Sequence, residues 1–473
     1  MPSSSQTSET ARERPALVLA ILCGAPFLAA LDLFVVNVAF TRIGQDFAGH
    51  SLADLSWILN GYAIVYAALL IPLGRWADKV GNKRVFVLGL VLFTAASAAA
   101  AISPDLEVLV ACRLVQAIGA AALTPTSLGL LIHAVAPQKR AFSVRIWATS
   151  SAIASALGPV IGGLLVEASW RWIFLINVPL GIVLVLAASR VVPDHRADDA
   201  NTELDLGGAV LLALGIGALS MGLVEGNDWG WGSAGVVGSL VVAAVALAGF
   251  AVNNARHRSP LIPPTLLRVR TFVGANVTIW LFSASFAAGL LGLILWLQQV
   301  WGYSAVTTGL AIAPGPLMVP IFAIGGQALA RHVPPGTSAM AGSLLWALGF
   351  VMILLSVGPE PSYATAVLPG WLVCGVGVGL ALPTILASAT AQLPAASSAT
   401  GSAVVNMTRQ VGTVMGVSVL VALLGTTSGY EATHQAFQRG WWVIAALAVA
   451  AAVVSPSLTP RKTADVTGAA RRG

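Results

Sequence analysis

Residues 16–39 read ALVLAILCGAPFLAALDLFVVNVA, an apolar run long enough to cross the roughly 30 Å hydrocarbon core of a bilayer as one helix. Two polar residues interrupt it, Asp32 and Asn37. A carboxylate at that depth costs about 2.5–3.5 kcal/mol on insertion scales, so it needs a reason to persist. Asp32 is the only acidic residue lying well inside an apolar run of this chain. In a many-span protein the usual reason is ion or proton handling.

Runs of the same kind recur at 54–73, 85–103, 106–131, 143–166, 172–189, 206–224, 234–253, 272–300, 306–328, 337–356, 364–388, 399–425 and 440–456. They are continuous rather than alternating, which predicts helices and not barrel strands. Composition agrees: 57% of the 473 residues are hydrophobic, 9% are charged, and the mean hydropathy is +0.85. A soluble domain carries about 25% charged residues. The fold class is therefore an all-α polytopic membrane protein of fourteen spans.

An even number of spans puts both termini on one side, and the basic residues say which. With the N-terminus inside, Arg42, Arg171 and Arg439 fall outside, and Arg113 and Arg409 lie within spans. Every other Lys and Arg falls in a cytoplasmic segment, among them Arg12, Arg14, Arg196, Arg331, Arg461, Lys462, Arg471 and Arg472. That is the positive-inside bias of an inner (cytoplasmic) cell membrane protein with both termini cytoplasmic. It accounts for the net charge of +6 and pI near 9.6, so membrane lipids are expected partners and nucleic acid is not. The first run is too long for a signal-peptide core and reads as a retained span. Cys23, Cys112 and Cys374 all fall inside spans without close pairing, so neither a disulfide nor a metal site is expected.

The polar stretch 190–205 follows six spans, and a basic, proline-containing connection from Arg256 to Arg270 follows two more. The expected organisation is a six-helix bundle over 1–190, a linker and inserted helix pair over 191–255, a second six-helix bundle over 256–458, and a tail over 459–473. Signatures of soluble enzymes are absent, and no paired acids or histidine clusters lie within spans. The glycines Gly375, Gly377 and Gly379 lie inside a span, where small residues permit close helix contact.

The loop after span 2 reads Gly74-Arg75-Trp76-Ala77-Asp78-Lys79-Val80-Gly81-Asn82-Lys83-Arg84. Its order resembles the G-x-L-a-D-r-x-G-r-[KR] loop of the major facilitator superfamily, with Trp76 in place of Leu and Asn82 in place of a basic residue. Arg113, Gln116 and Gly119 are similar to its fourth-span motif, with Ala117 in place of a Gly. Gly158-Pro159 and Gly162-Gly163 are similar to the antiporter motif G-P-x-x-G-G. The stretches Leu31 to Ala39, Trp170 to Pro179, Leu297 to Ser304 and Gly401 to Gly416 extend the resemblance to the fourteen-span drug:proton antiporters of that superfamily.

The resemblance implies a major facilitator fold, two six-helix bundles with two inserted helices. It also implies proton-driven export of drugs or antibiotic-like amphipathic compounds by alternating access. The driving force would be the proton gradient, with no cofactor. Gly74, Asp78, Gly81, Arg84, Gly158, Pro159, Gly162 and Gly163 would serve conformational change. Helices one and four of each half line the cavity in this superfamily, which nominates Asn37, Gln116, Asn276, Trp280, Phe282, Phe286, Gln298 and Gln299 for substrate contact. Asn406 and Arg409 in span 13 are further candidates, although Arg409 could equally snorkel or pair structurally.

Asp32 and Arg113 each lie about seven residues from the outer ends of spans 1 and 4, hence near one depth at 1.5 Å per residue. A neighbouring arginine favours the ionised carboxylate and desolvation opposes it. Opening the pair to one side or the other would shift that balance. Asp32 is then either a proton carrier modulated by Arg113, which requires access to a cavity, or half of a static ion pair. Tyr62 and Trp57 suggest interfacial anchors at the start of span 2, and Glu225, Asp228, Trp229 and Trp231 a helix cap with an aromatic belt. One embedded acid against two embedded arginines favours neutral or anionic lipophilic substrates. The expected partners are such a substrate and protons, with the chain a monomer. The alternative is a facilitator or proton symporter of a small polar metabolite.

Overall fold

The computed structural model describes residues 15–194, 203–329, 333–425 and 429–460. Among these residues, fourteen helices are long and apolar enough to cross a membrane. Spans 1 to 6 are Pro15–Asp46, Leu52–Val80, Asn82–Ala101, Leu106–Ala134, Pro137–Ala168 and Trp172–Val191. Spans 7 and 8 are Leu206–Val224 and Ala234–Arg256. Spans 9 to 11 are Arg270–Val300, the pair Ala305–Ile312 and Pro314–Leu329, and Pro335–Ser356. Spans 12 to 14 are Tyr363–Thr390, Ala395–Leu424 and Tyr430–Val454. Arg12, Arg14, Arg196, Arg331, Arg461, Lys462, Arg471 and Arg472 lie outside the described residues.

Several boundaries depart from the hydropathy reading. Span 2 runs seven residues past 73, so Gly74 to Val80 of the expected loop form its last helical turns and only Gly81 separates it from span 3. Span 1 runs on to Asp46 because Phe40 and Ile43 still bury apolar surface, and the chain turns only at Gly49, where φ is 106°. Asp32 is thus near the middle of its helix rather than near its end. Span 14 begins at Tyr430, since Ala436 and Phe437 pack inward among polar neighbours that a hydropathy window rejects.

The packing repeats. Helix pairs 1·5, 3·4, 2·4, 3·6, 1·6 and 1·4 are in contact, and so are 9·13, 11·12, 10·12, 11·14, 9·14 and 9·12. The second set is the first shifted by eight spans, the signature of a transporter built from two like halves. The halves meet along two seams, span 2 on span 13 and span 5 on span 10, which the same shift exchanges. Span 7 packs on span 8 and also reaches spans 2 and 13, so the inserted pair lies over one seam.

One end of the molecule carries the basic loop after span 2. Gly81 there has φ 114°, a conformation that favours glycine, and it separates spans 2 and 3 by a single residue. Asp78 accepts a hydrogen bond from the Asn82 side chain, and Arg84 is exposed. Arg75 donates to the carbonyls of Ser259 and Pro260 at 2.6 and 2.7 Å, gripping the connection into span 9. The same connection is held by buried Asp205, whose carboxylate accepts from the amides of Gly208 and Leu261 and from Asn253. The contacts joining the halves lie toward the opposite end. There Asn60 of span 2 donates to Ser220 of span 7 and Ser418 of span 13, and Asn227 donates to the carbonyl of Ala422.

Asp205→Ala removes the acceptor from two backbone amides. Hydrogen exchange at Leu261 and Gly208 is expected to accelerate about tenfold or more, the equivalent of one charge-assisted bond. Unchanged protection at both amides would show that the clamp is idle.

Candidate functional site

Asp32 and Arg113 meet in the interior of the first half. Arg113 Nη1 lies 2.5 Å from Asp32 Oδ2, and both side chains are fully buried. The other carboxylate oxygen accepts from Gln116 Nε2 at 2.9 Å and from Asn177 Nδ2 at 2.8 Å. Ser97 Oγ accepts from the same two amides, at 2.7 and 3.5 Å. Arg113 is further satisfied by the Ile58 carbonyl, 3.2 Å from Nε, and by Gln116 Oε1. Its guanidinium carbon lies 4.2 Å from the centre of the Tyr62 ring and 5.8 Å from that of Phe174. Spans 1, 2, 3, 4 and 6 therefore all contribute to one charged cluster. Two buried atoms in it have no hydrogen-bond partner among the described residues, Arg113 Nη2 and Asn177 Oδ1.

The contact that a proton carrier needs with an aqueous cavity is not present in this conformation: Asp32 is 1% exposed. Spans 1, 4 and 6 close around it because its helix runs past it by about four turns at 3.6 residues per turn. Tyr62 is also not the interfacial anchor that its place in the sequence suggests. It is buried at 2% exposure with its ring against Arg113. Asn177, Ser97 and Tyr62 are cluster members that sequence reasoning did not nominate, although Asn177 sits inside a stretch that carried the family resemblance.

The other nominated residues lie elsewhere. Asn37 bonds the Leu33 carbonyl of its own helix, as Asn406 does with Ser402. Gln298 donates to the Val38 carbonyl at 3.0 Å and ties span 9 to span 1, from a π-helical turn at Trp296–Val300. Gln299 is exposed and lines a cleft of about 290 Å³ with Phe40, Thr41, Gln45 and His50. Phe286 meets Phe34 across the halves, with ring centres 6.4 Å apart, and also packs on Trp346. Trp280 is 37% exposed, and Phe282 is buried against Trp346. Asn276 accepts from Thr408, joining spans 9 and 13. Arg409 stands half-buried at mid-helix, near Tyr66 of span 2.

Glu225 is buried, with Trp57 hydrogen-bonded to it, while Trp229 and Trp231 are exposed. Burial, then the neighbouring charges of Asp54 and Asp228, pushes its carboxyl above the usual range, and Trp57 pulls it back.

The glycines of span 5 bring backbones together. A Cβ at Gly158 would sit 2.5 Å from that of Phe34, and one at Gly162 3.1 Å from the Val35 Cα. Gly163 approaches the Ala305 carbonyl oxygen of span 10, where a Cβ would lie at 2.6 Å, and Gly309 answers by packing on the Pro159 carbonyl. Gly74 rests against Pro125 of span 4 with more room, 3.3 Å. Gly375 and Gly377 likewise abut the backbones of Gly315 and Gly342, so their role is helix contact.

Comparison with known proteins bears on the whole chain. A family model described as Major Facilitator Superfamily matches residues 22–417. A cephamycin export protein of Amycolatopsis lactamdurans is 34% identical over 96% of this chain and 94% of its own. A tetracenomycin C resistance and export protein of Streptomyces glaucescens is 31% identical, over 88% and 77%. A multidrug resistance protein of Mycobacterium tuberculosis is 32% identical, over 84% and 74%. Among solved structures, a POT family transporter in complex with a thioalcohol-conjugated peptide aligns with TM-score 0.68 at 18% identity, covering 93% of this chain and 96% of its own. An inward-facing bacterial homologue of the human lysosomal transporter Spinster aligns with TM-score 0.65 at 16% identity, covering 95% and 99%. At these identities the structural likeness speaks to the fold.

Gly163→Val and Gly309→Val place a branched side chain where spans 5 and 10 touch backbone to backbone. Spin labels at exposed Leu164 and Leu310 are expected to move apart in both variants, with the helices still inserted. A distance distribution identical to the parent would mean that the approach does not depend on the glycines.

Proposed function

The chain belongs to the major facilitator superfamily, and we propose that it exports drugs or antibiotic-like lipophilic molecules in exchange for protons, with Asp32 as the proton-binding group. Relatives over nearly the full chain are export and resistance proteins for antibiotics, which supports the export of antibiotic-like small molecules here. The superfamily is one of membrane transporters, not of enzymes. The basic loop end faces the cytoplasm of a cell membrane, with both termini on that side, and exposed Arg84 faces lipid phosphates. The chain works as a monomer, since one chain supplies both halves of the repeat.

The observation that carries the proton role is the donor count at Asp32. A carboxylate accepts only, and three donors converge on its two oxygens. Adding a proton turns one oxygen into a donor, so one of those contacts must be exchanged for an acceptor. Asn177 supplies it: its Oδ1 is buried without a partner, and rotating the amide by half a turn puts that oxygen where Nδ2 stands. Protonation also releases Arg113 from its counter-charge, and a lone guanidinium in that interior is costly enough to drive spans 1 and 4 apart. The sealed pair is then the deprotonated state closed at the far end. Rearrangement of the halves gives Asp32 its access to the proton reservoir. Pro159 and Gly163 lie at the seam that must yield, Gly158 and Gly162 pack behind them on span 1, and Gly74 and Asp78 in the last turns of span 2, with Gly81 just beyond, lie at the opposite end. A facilitator, which moves no proton, would leave this cluster without a task.

Asp32→Asn is expected to abolish uptake driven by a pH gradient into inverted vesicles, assayed with a panel of labelled lipophilic antibiotics, while equilibrium exchange of the same compounds persists. Undiminished stimulation by the gradient would remove the proton role. Asn177→Val takes away both the donor and its replacement acceptor, so exchange should slow about tenfold, with Asn177→Ser partly restoring it. Parental rates in Asn177→Val would leave the carrier role standing and remove the amide from it.

A further inference from the structure

We propose that Arg409 anchors the negative charge of the substrate, and that the compounds exported are lipophilic anions, carboxylates foremost. The inference rests on the exporter reading and adds the chemical class. Arg409 stands at the centre of span 13, about 21 Å from either end at 1.5 Å per residue, which is too deep for its side chain to snorkel to an interface. Among the described residues the ion pairs are His50–Asp54, Arg113–Asp32, Arg171–Asp46 and His257–Asp205, and none involves Arg409. Nor does its guanidinium donate any hydrogen bond there, whereas Arg113, the other embedded arginine, donates to a carboxylate, an amide and a carbonyl.

The groups around Arg409 do not make up the deficit. Tyr66 of span 2, the ionisable group that acts on it across the seam, has its hydroxyl paired with Thr124 Oγ1 at 2.9 Å. Thr408 donates to Asn276, and Asn406 to the Ser402 carbonyl. With Asp32 and Arg113 cancelling, the mid-membrane part of the described residues carries one uncompensated positive charge, at the seam between the halves. A cation held unpaired at that depth marks a place where an anion arrives. A guanidinium presents parallel N–H donors that match a carboxylate. A cationic drug would meet repulsion at the same point.

The charge sign also fixes the energetics. Exchange of one exported monoanion for one imported proton moves two unit charges in the same electrical sense, so a membrane potential negative inside drives the cycle along with the pH gradient.

The test uses the purified full chain with 1-pyrenebutyrate and the uncharged 1-pyrenebutanol as probes. The parent should bind the acid about tenfold or more tightly than the alcohol. Arg409→Gln should lose that preference while still binding the alcohol, which shows it folded, and Arg409→Lys should keep most of it. Asp32→Asn should keep the preference while failing in gradient-driven export, so failure of the proton role and failure of the anion site are separable. The proposal is overturned if the parent does not prefer the acid, if Arg409→Gln retains the preference, or if Arg409→Lys loses as much as Arg409→Gln. In proteoliposomes loaded with pyrenebutyrate, a potassium diffusion potential negative on the substrate-loaded side should speed export, and indifference to its sign would count against the anion.

Discussion

A carboxylate and a guanidinium facing each other without water hold the first half of this molecule in place. Asp32 and Arg113 are worth keeping only as a pair, since removing either leaves a buried charge at a cost of about 3–5 kcal/mol. Ile58 of span 2, Gln116 of span 4 and Asn177 of span 6 bond the pair directly, Ser97 of span 3 holds the two amides in place, and Arg113 Nη2 is left without a partner among the described residues. Five helices are thereby registered against one another at a single depth. The apolar packing around them fills space, and the polar cluster decides which helices are neighbours.

The second half repeats the packing and not the chemistry. Its interior is filled by Phe282, Trp346, Phe350 and Trp371, rings that touch in sequence, with Trp346 Nε1 donating to Ser285 and Trp371 Nε1 to the Ile312 carbonyl. The titratable group beside these rings is the Cys374 thiol, which donates to the Trp346 carbonyl, and among the described residues no carboxylate is buried there. The buried ion pair is thus confined to one half, and Arg409 of the other stands half-buried in the middle of span 13.

Much of this was legible in the residues. Continuous apolar runs gave the span count, because a bilayer demands backbone self-sufficiency over a fixed length. Asp32 and Arg113 were matched by depth because embedded charges need partners and few were on offer. Asn177 and Ser97 were not legible as cluster members: a lone amide or hydroxyl in an apolar run does not say which neighbour its helix presents it to. Tyr62 read as an interfacial anchor because its helix was started two residues too late and its ring was assigned to the flank. The glycines of span 5 are legible as a motif, but only packing shows that Gly309 of span 10 answers them. The burial of Asp32 followed from a helix that outlasts its hydropathy, which a windowed reading ends too soon.

The inserted pair makes two seams related by the internal repeat unequal. Along one, span 7 roofs spans 2 and 13 and is stitched to both by Asn60, Ser220 and Ser418. Along the other, spans 5 and 10 present Leu157, Leu164, Leu310 and Leu317 to the hydrocarbon with nothing over them. A compound dissolved in the bilayer therefore meets a curtained flank and an open one. The internal repeat is twofold in its backbone, and what its two flanks show to the lipid is not.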